Sequence, residues 1–172
     1  AALMDNVGSL MSCDIHEHKI ELMNSNAERL GASIVHTKVQ DATKLPDSWN
    51  SYFDRVLVDA PCSGLGILQK KLDMRWRKQE SILSELPPLQ LAILERAAMT
   101  VKEKGYLIYS TCTLNYKENE EVVESFLQKH KEFSIIPVAE DFPLKSNSGM
   151  ITTYPPTDDM DGFFMARMKR LS

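Results

Sequence analysis

No apolar run in the sequence approaches the length needed to cross a bilayer, so no membrane span is expected. The first residues, Ala1-Ala2-Leu3-Met4-Asp5, carry neither a basic region nor a cleavage pattern, so no signal peptide is visible. Positive charge is not in excess: 20 Lys and Arg stand against 24 Asp and Glu, a net charge of −4. A domain that grips nucleic acid by itself is usually basic. Any such contact would therefore be local or helped by another domain. Cysteine is sparse, with three residues in no metal-ligand spacing. An odd count without pattern argues for reduced thiols in the cytoplasm and against a disulfide framework. The histidines (His16, His18, His36 and His130) are scattered, and no cysteine or carboxylate cluster completes a metal site with them. There is no internal repeat and no low-complexity tract. A strand, Gly-rich turn and helix, the usual opening of a nucleotide-binding α/β domain, is also missing.

What is present suits one soluble globular domain over residues 1–172, with 43% hydrophobic and 26% charged residues. Short β-rich runs alternate with helical periodicity. Strands are expected over residues 8–15, 33–39 and 55–59, the last being Arg55-Val56-Leu57-Val58-Asp59. Further strands follow at Gly105-Tyr106-Leu107-Ile108-Tyr109, 133–138 and 163–168. A helix over residues 17–30 would bury Ile20, Met23, Ala27 and Leu30, with Gly31 as its C-cap. Residues 46–51 read as a polar loop, and a long loop runs through Lys78. Pro87-Pro88 should break a helical stretch, after which Leu89, Ile93 and Ala97 mark the buried face of a helix that ends before Gly105. Residues 118–130 read as a helix, with Glu118, Glu120 and Glu121 in its first turns, where the helix dipole favours acid. Residues 141–156 read as a loop. The pattern predicts an α/β fold with a mostly parallel sheet and a last strand that can run antiparallel.

Two cysteines sit just past the ends of two of these strands, in Asp59-Ala60-Pro61-Cys62-Ser63-Gly64 and Ser110-Thr111-Cys112-Thr113. Ligands on open α/β sheets bind outside the carboxyl ends of the strands. A thiol there can meet backbone N–H groups that favour its ionised, nucleophilic form. Cys13, inside the first strand, reads as a small core residue. Asp14 and Asp41 also end strands on that side of the sheet. Each could accept hydrogen bonds from ribose hydroxyls or an adenine amine, or could equally cap a helix or turn.

These residues carry a resemblance. The paired thiol segments resemble those of the RNA cytosine-5 methyltransferases of the Sun/Fmu (NOL1/NOP2/Sun) family, nearest its bacterial branch acting on 16S ribosomal RNA. Residues 13–19 (CDIHEHK), 26–31 (NAERLG) and 161–164 (DGFF) fit the same family. The resemblance covers nearly the whole chain. It implies a Rossmann-like class I fold using S-adenosylmethionine, with no metal, and 16S ribosomal RNA as partner. It also implies that the first strand and a Pro-Gly-Gly-Lys type cofactor loop would lie before Ala1, together with an RNA-binding region. Residues 1–172 would then be a partial catalytic domain, inactive alone. Without that central strand the sheet would split, close up, or take a strand from elsewhere, and exposed edges could pair two copies of the chain.

By resemblance, Cys112 attacks C6 of cytosine, Cys62 assists release, and Asp59 hydrogen-bonds the base near N3 and N4. Asp14 would bind the ribose, with Ile15 packed on the adenine, and Asp41 and Ala42 would take the adenine end; Asp59 would also border the cofactor. Pro61 would shape the base pocket. The target base must leave its stack. A basic segment with one aromatic, holding Lys71, Arg75 and Trp76, could contact RNA, or could be a solvated loop with Trp76 in the core. Two alternatives remain: a tRNA or DNA cytosine-5 methyltransferase in which Cys62 attacks, and a non-catalytic α/β binding module.

Overall fold

The structure, a computed structural model, describes residues 1–70, 82–138, 144 and 149–171. It forms two compact units, residues 1–45 and 46–172.

In the first unit β1 (Leu10–Asp14) and β2 (Val35–Val39) pair in parallel, with Asp14 opposite Val39. Helix α1 (Glu17–Arg29) connects them and packs on both. It ends where expected: Gly31 follows in the left-handed region at φ 64°, a conformation that costs glycine little. Of its expected buried face, Ile20 is buried, Met23 and Ala27 are half-buried, and Leu30 is exposed. Leu30 falls outside because the helix ends at Arg29 and Leu30 is its C-cap.

The second unit carries a five-stranded sheet. β3 (Phe53–Asp59) pairs in parallel with β4 (Val101–Thr111), and β4 pairs antiparallel with β7 (Phe164–Arg170). β5 (Phe133–Ile135) and β6 (Met150–Thr152) lie end to end along the other edge of β7, both antiparallel to it. The last strand thus runs antiparallel, as expected. Among the described residues β1 pairs only with β2, and β3 only with β4, so the sheet is divided in two.

Alternation along β4 and β7 builds the core. Leu107, Tyr109, Thr111, Phe164, Ala166 and Met168 are fully buried, whereas Tyr106, Ile108 and Ser110 are half-exposed. Helix α2 (Ile82–Thr100) packs against β3, β4 and α3 (Glu120–Lys129). A short helix α4 (Pro155–Asp158) precedes β7.

Several expectations need correction. Pro87-Pro88 does not break the helix, which runs through both. Each proline removes a donor and costs roughly 3 kcal/mol in a helix interior. The loss falls in the first two turns, and burial of Ile93, Leu94, Ala97 and Ala98 holds the rest in place. Leu89 is not on the buried face, being 41% exposed; Gln90 takes that place with no exposure. The helix ends at Thr100, before Gly105 as expected, but the strand expected from Gly105 already starts at Val101. Residues 141–156 include β6 and the start of α4, and residues 46–51 include a 3-10 turn, Asp47–Trp49. The acidic helix starts at Glu120, so Glu118 lies outside it, in a 3-10 turn, and is buried.

Candidate active site

Register places the thiols. Asp59 of β3 stands opposite Ser110 of β4, and the ladder continues one step with the Ala60 N–H donating to the Ser110 carbonyl at 2.9 Å. Two parallel strands therefore finish level, and the segments leaving them start side by side. Cys62 and Cys112 meet with their sulfurs 2.9 Å apart, and the Cys112 N–H donates to the Cys62 sulfur at 3.2 Å. Both cysteines are half-buried, and neither is in a disulfide. The hydrogen bond with Cys112 pushes the Cys62 thiol well above its ordinary range, and burial adds to this. The N–H groups of Cys112 and Gly64 act in the opposite direction without overcoming it. Cys62 therefore keeps its proton near neutrality.

Asp59 is exposed at the strand end and accepts from the Ser110 hydroxyl at 3.3 Å. Pro61 exposes its ring, while its carbonyl accepts from Gln90 Nε2 at 2.8 Å. The segment after Cys62 turns at Gly64, in the left-handed region at φ 65°. Gly66 then donates to the Cys112 carbonyl at 3.0 Å and accepts from the Gly162 N–H at 2.9 Å. Both thiol loops and the loop before β7 are thus tied by backbone bonds.

A polar network lies beneath the thiols that the sequence reading did not single out. The buried Glu118 carboxylate accepts from the Ser63 N–H, Gln90 Nε2 and Asn115 Nδ2 at 2.8, 3.0 and 3.0 Å. The Ser63 and Thr113 hydroxyls meet at 2.8 Å, and Tyr109 donates to the Glu118 carbonyl at 2.6 Å. Burial drives the Tyr109 hydroxyl far up, with the Glu118 charge adding to it. The one available signal was a glutamine and a glutamate on elements flanking the thiol segments; nothing in their spacing marks them as buried partners.

In the first unit, Asp14 Oδ1 accepts from the His16 N–H at 2.9 Å, and Oδ2 pairs with Lys19 Nζ at 3.0 Å. Burial alone would raise this carboxyl, but those hydrogen bonds outweigh it and hold it below the usual carboxylate range. Ile15 beside it is 58% exposed. Asp41 caps the short turn Ala42–Lys44, accepting from the Thr43 side chain at 2.6 Å and its N–H at 2.9 Å, which lowers its carboxyl. Ala42 is half-buried in that turn. The capping alternative therefore describes what Asp41 does within the unit. Cys13 is half-buried, and burial raises its thiol. Lys71, Arg75 and Trp76 lie outside the described residues. Among the described residues no His, Cys, Asp and Glu cluster could hold a metal, and no helix is long and apolar enough to cross a membrane.

Comparisons with known proteins agree on one family. Residues 1–169 match the family described as 16S rRNA methyltransferase RsmB/F. The chain is 40% identical over 176 residues to the Bacillus subtilis protein named "Probable ribosomal RNA small subunit methyltransferase B", covering 99% of this chain and 39% of that protein. The crystal structure of PH0851 superposes with a TM-score of 0.91 at 33% identity, over 98% of this chain and 38% of the other. NSun6 from Pyrococcus horikoshii, solved with SFG, superposes with a TM-score of 0.87 at 29% identity, over all of this chain and 44% of the other. The chain spans about two fifths of the length of the curated relatives it matches. Its fold is the Rossmann-like one of these methyltransferases, and the chain belongs to the 16S rRNA methyltransferase RsmB/F family.

Proposed function

We propose that this chain carries the catalytic thiols of an enzyme that moves a methyl group from S-adenosylmethionine to C5 of a cytosine in 16S ribosomal RNA. One observation carries the reading: two cysteine sulfurs in contact at 2.9 Å, delivered by the level ends of parallel β3 and β4. Family membership supports methyl transfer to ribosomal RNA, and the thiol pair supports C5 of cytosine as its site.

The chemistry needs a thiol because C5 of cytosine is a weak nucleophile. Addition of the Cys112 sulfur to C6 makes C5 electron-rich, splitting one difficult step into two easier ones. Asp59, exposed beside the thiols, hydrogen-bonds the N3–N4 edge and stabilises the charge that develops on the ring. Pro61 shapes the wall of the base pocket. Once C5 bears the methyl group, its proton passes to solvent water, the C5–H electron pair re-forms the C5–C6 double bond, and the C6–sulfur bond breaks with its own pair returning to Cys112. Cys62, which holds its proton tightly and touches the Cys112 sulfur, assists that release.

The residues of the first unit suit S-adenosylmethionine. Asp14 offers an ionised acceptor at a strand end to a ribose diol, exposed Ile15 offers an apolar surface to adenine, and Asp41 with Ala42 borders the same strand ends. When bound, S-adenosylmethionine supplies a methyl group on a positively charged sulfur. No Gly-rich turn that could wrap its methionine end occurs in these residues. Residues 1–172 alone are therefore expected to bind it weakly and to be inactive, and micromolar binding by isothermal titration would contradict this. Lys71, Arg75 and Trp76 remain candidates for RNA contact.

A second reading makes Cys62 the attacking group, favoured by the Cys112 N–H that donates to its sulfur. Single substitutions in the full-length enzyme separate the two. If Cys112 attacks, Cys112→Ala forms no covalent RNA adduct and Cys62→Ala accumulates one; the opposite pattern exchanges the roles.

A further inference from the structure

Cys62 is pinned from both sides to one buried carboxylate. The residue before it, Pro61, gives its carbonyl to Gln90 Nε2 at 2.8 Å, and the same nitrogen donates to Glu118 Oε2 at 3.0 Å. The residue after it, Ser63, donates its N–H directly to Glu118 Oε2 at 2.8 Å. The other thiol loop is held by the same side chain, because Asn115, just past Cys112, donates from Nδ2 to Glu118 Oε1 at 3.0 Å. Glu118 itself cannot drift: its backbone carbonyl accepts from Tyr109, and both residues have no solvent exposure.

Orientation of the Gln90 amide adds a second, independent observation. Both of its near partners are acceptors, so its NH2 group must face them. Its Oε1 is then buried with no hydrogen-bond partner. A buried acceptor left unsatisfied in a native structure calls for an explanation other than stability. Holding the two residues that flank Cys62 supplies one.

We propose that Glu118 is a positioning residue for the thiol pair: through Ser63 and Gln90 it fixes the segment carrying Cys62, and so sets the contact between the Cys62 and Cys112 sulfurs. This rests on the reading of Cys112 and Cys62 as attacking and releasing groups. It assigns to a residue outside both thiol motifs the geometry on which their division of labour depends. A carboxylate is suited to the task because each of its oxygens takes donors from a different loop, which an amide or hydroxyl cannot do with three donors.

The test is alkylation of the folded full-length protein with iodoacetamide, with the rates at Cys13, Cys62 and Cys112 resolved by peptide mass spectrometry. Glu118→Ala is expected to raise the Cys62 rate about fivefold relative to Cys112 and Cys13, as the sulfur leaves its buried contact. Glu118→Gln, which keeps an oxygen for Ser63 and Gln90, is expected to restore the ratio to within about twofold of the parent. Methyl transfer by Glu118→Ala should lose about tenfold or more in kcat with little change in KM for RNA. An unchanged ratio in folded Glu118→Ala, or an equal rise at all three cysteines, would overturn the proposal. If Glu118→Ala does not fold, Gln90→Leu serves, since it cuts the link from Glu118 to Pro61 and leaves the Ser63 N–H on Glu118; there an unchanged ratio is equally decisive. Alkylation requires neither RNA nor S-adenosylmethionine. A shifted ratio with unaltered methyl transfer would therefore sustain the positioning role and remove the catalytic roles of the thiols.

Discussion

Gly162 donates its N–H to the Gly66 carbonyl at 2.9 Å, and a Cβ at Gly66 would overlap the Gly162 carbonyl oxygen. The loop after Cys62 and the loop before β7 touch backbone to backbone. Gly66→Ala is therefore expected to destabilise by about 1–3 kcal/mol, the range for overpacking. Gly31→Ala is the control: no atom lies within 4 Å of its added Cβ, and only its positive φ of 64° resists. That costs about 1–2 kcal/mol but should leave the thiols undisturbed. Denaturant unfolding, with alkylation of Cys112, compares the two. Undisturbed thiols in Gly66→Ala would mean that the contact does not hold the Cys62 loop.

The raised Cys62 thiol makes stability depend on pH. The folded state holds this proton more tightly than the unfolded chain, where a thiol ionises near about 8.5. Its contribution is complete below that value. As pH climbs past it, unfolding releases a proton, and the contribution is lost. Stability should fall between about pH 8.5 and 10, and Cys62→Ser should flatten the fall. Cys13 adds the same trend in its own unit through burial, so Cys13→Ser is the matched comparison. Equal slopes for Cys62→Ser and the parent protein would refute the shift.

Asp14 stands at the end of β1 with Lys19 and the His16 N–H holding its carboxyl ionised. In the full-length enzyme, Asp14→Ala is expected to raise the KM for S-adenosylmethionine about tenfold or more, as for loss of a charge-assisted hydrogen bond. The kcat should change by less than about threefold, because uniform binding is removed and not transition-state binding. Steady-state kinetics with the cofactor varied checks this, and an unchanged KM would remove Asp14 from the cofactor site.

The strands, their alternation with helices and the two thiol segments were legible because each is a local pattern: short β-rich runs, turn residues at their ends, a cysteine at a fixed step beyond. The reversed direction of β7 was legible for a similar reason, since no helical stretch long enough for a parallel crossover precedes it; α4 has only 4 residues. Pro87-Pro88 misled because propensity describes a helix alone, whereas α2 is held by the packing of Ile93, Leu94, Ala97 and Ala98. Glu118 misled in the opposite way. An acidic residue near a helix start reads as a dipole partner, and only the tertiary arrangement shows that the residue turns inward to meet Ser63, Gln90 and Asn115. Donors that converge from three separate segments leave no spacing in the sequence to detect.

β7 is an interior strand, bonded to β4 on one side and to β5 and β6 on the other. A premature stop before Arg167 would remove the central seam from which the neighbouring strands hang, together with Met168 in the core. A stop codon inside β7 would leave β4, β5 and β6 without the strand that joins them, and is expected to abolish folding of this unit.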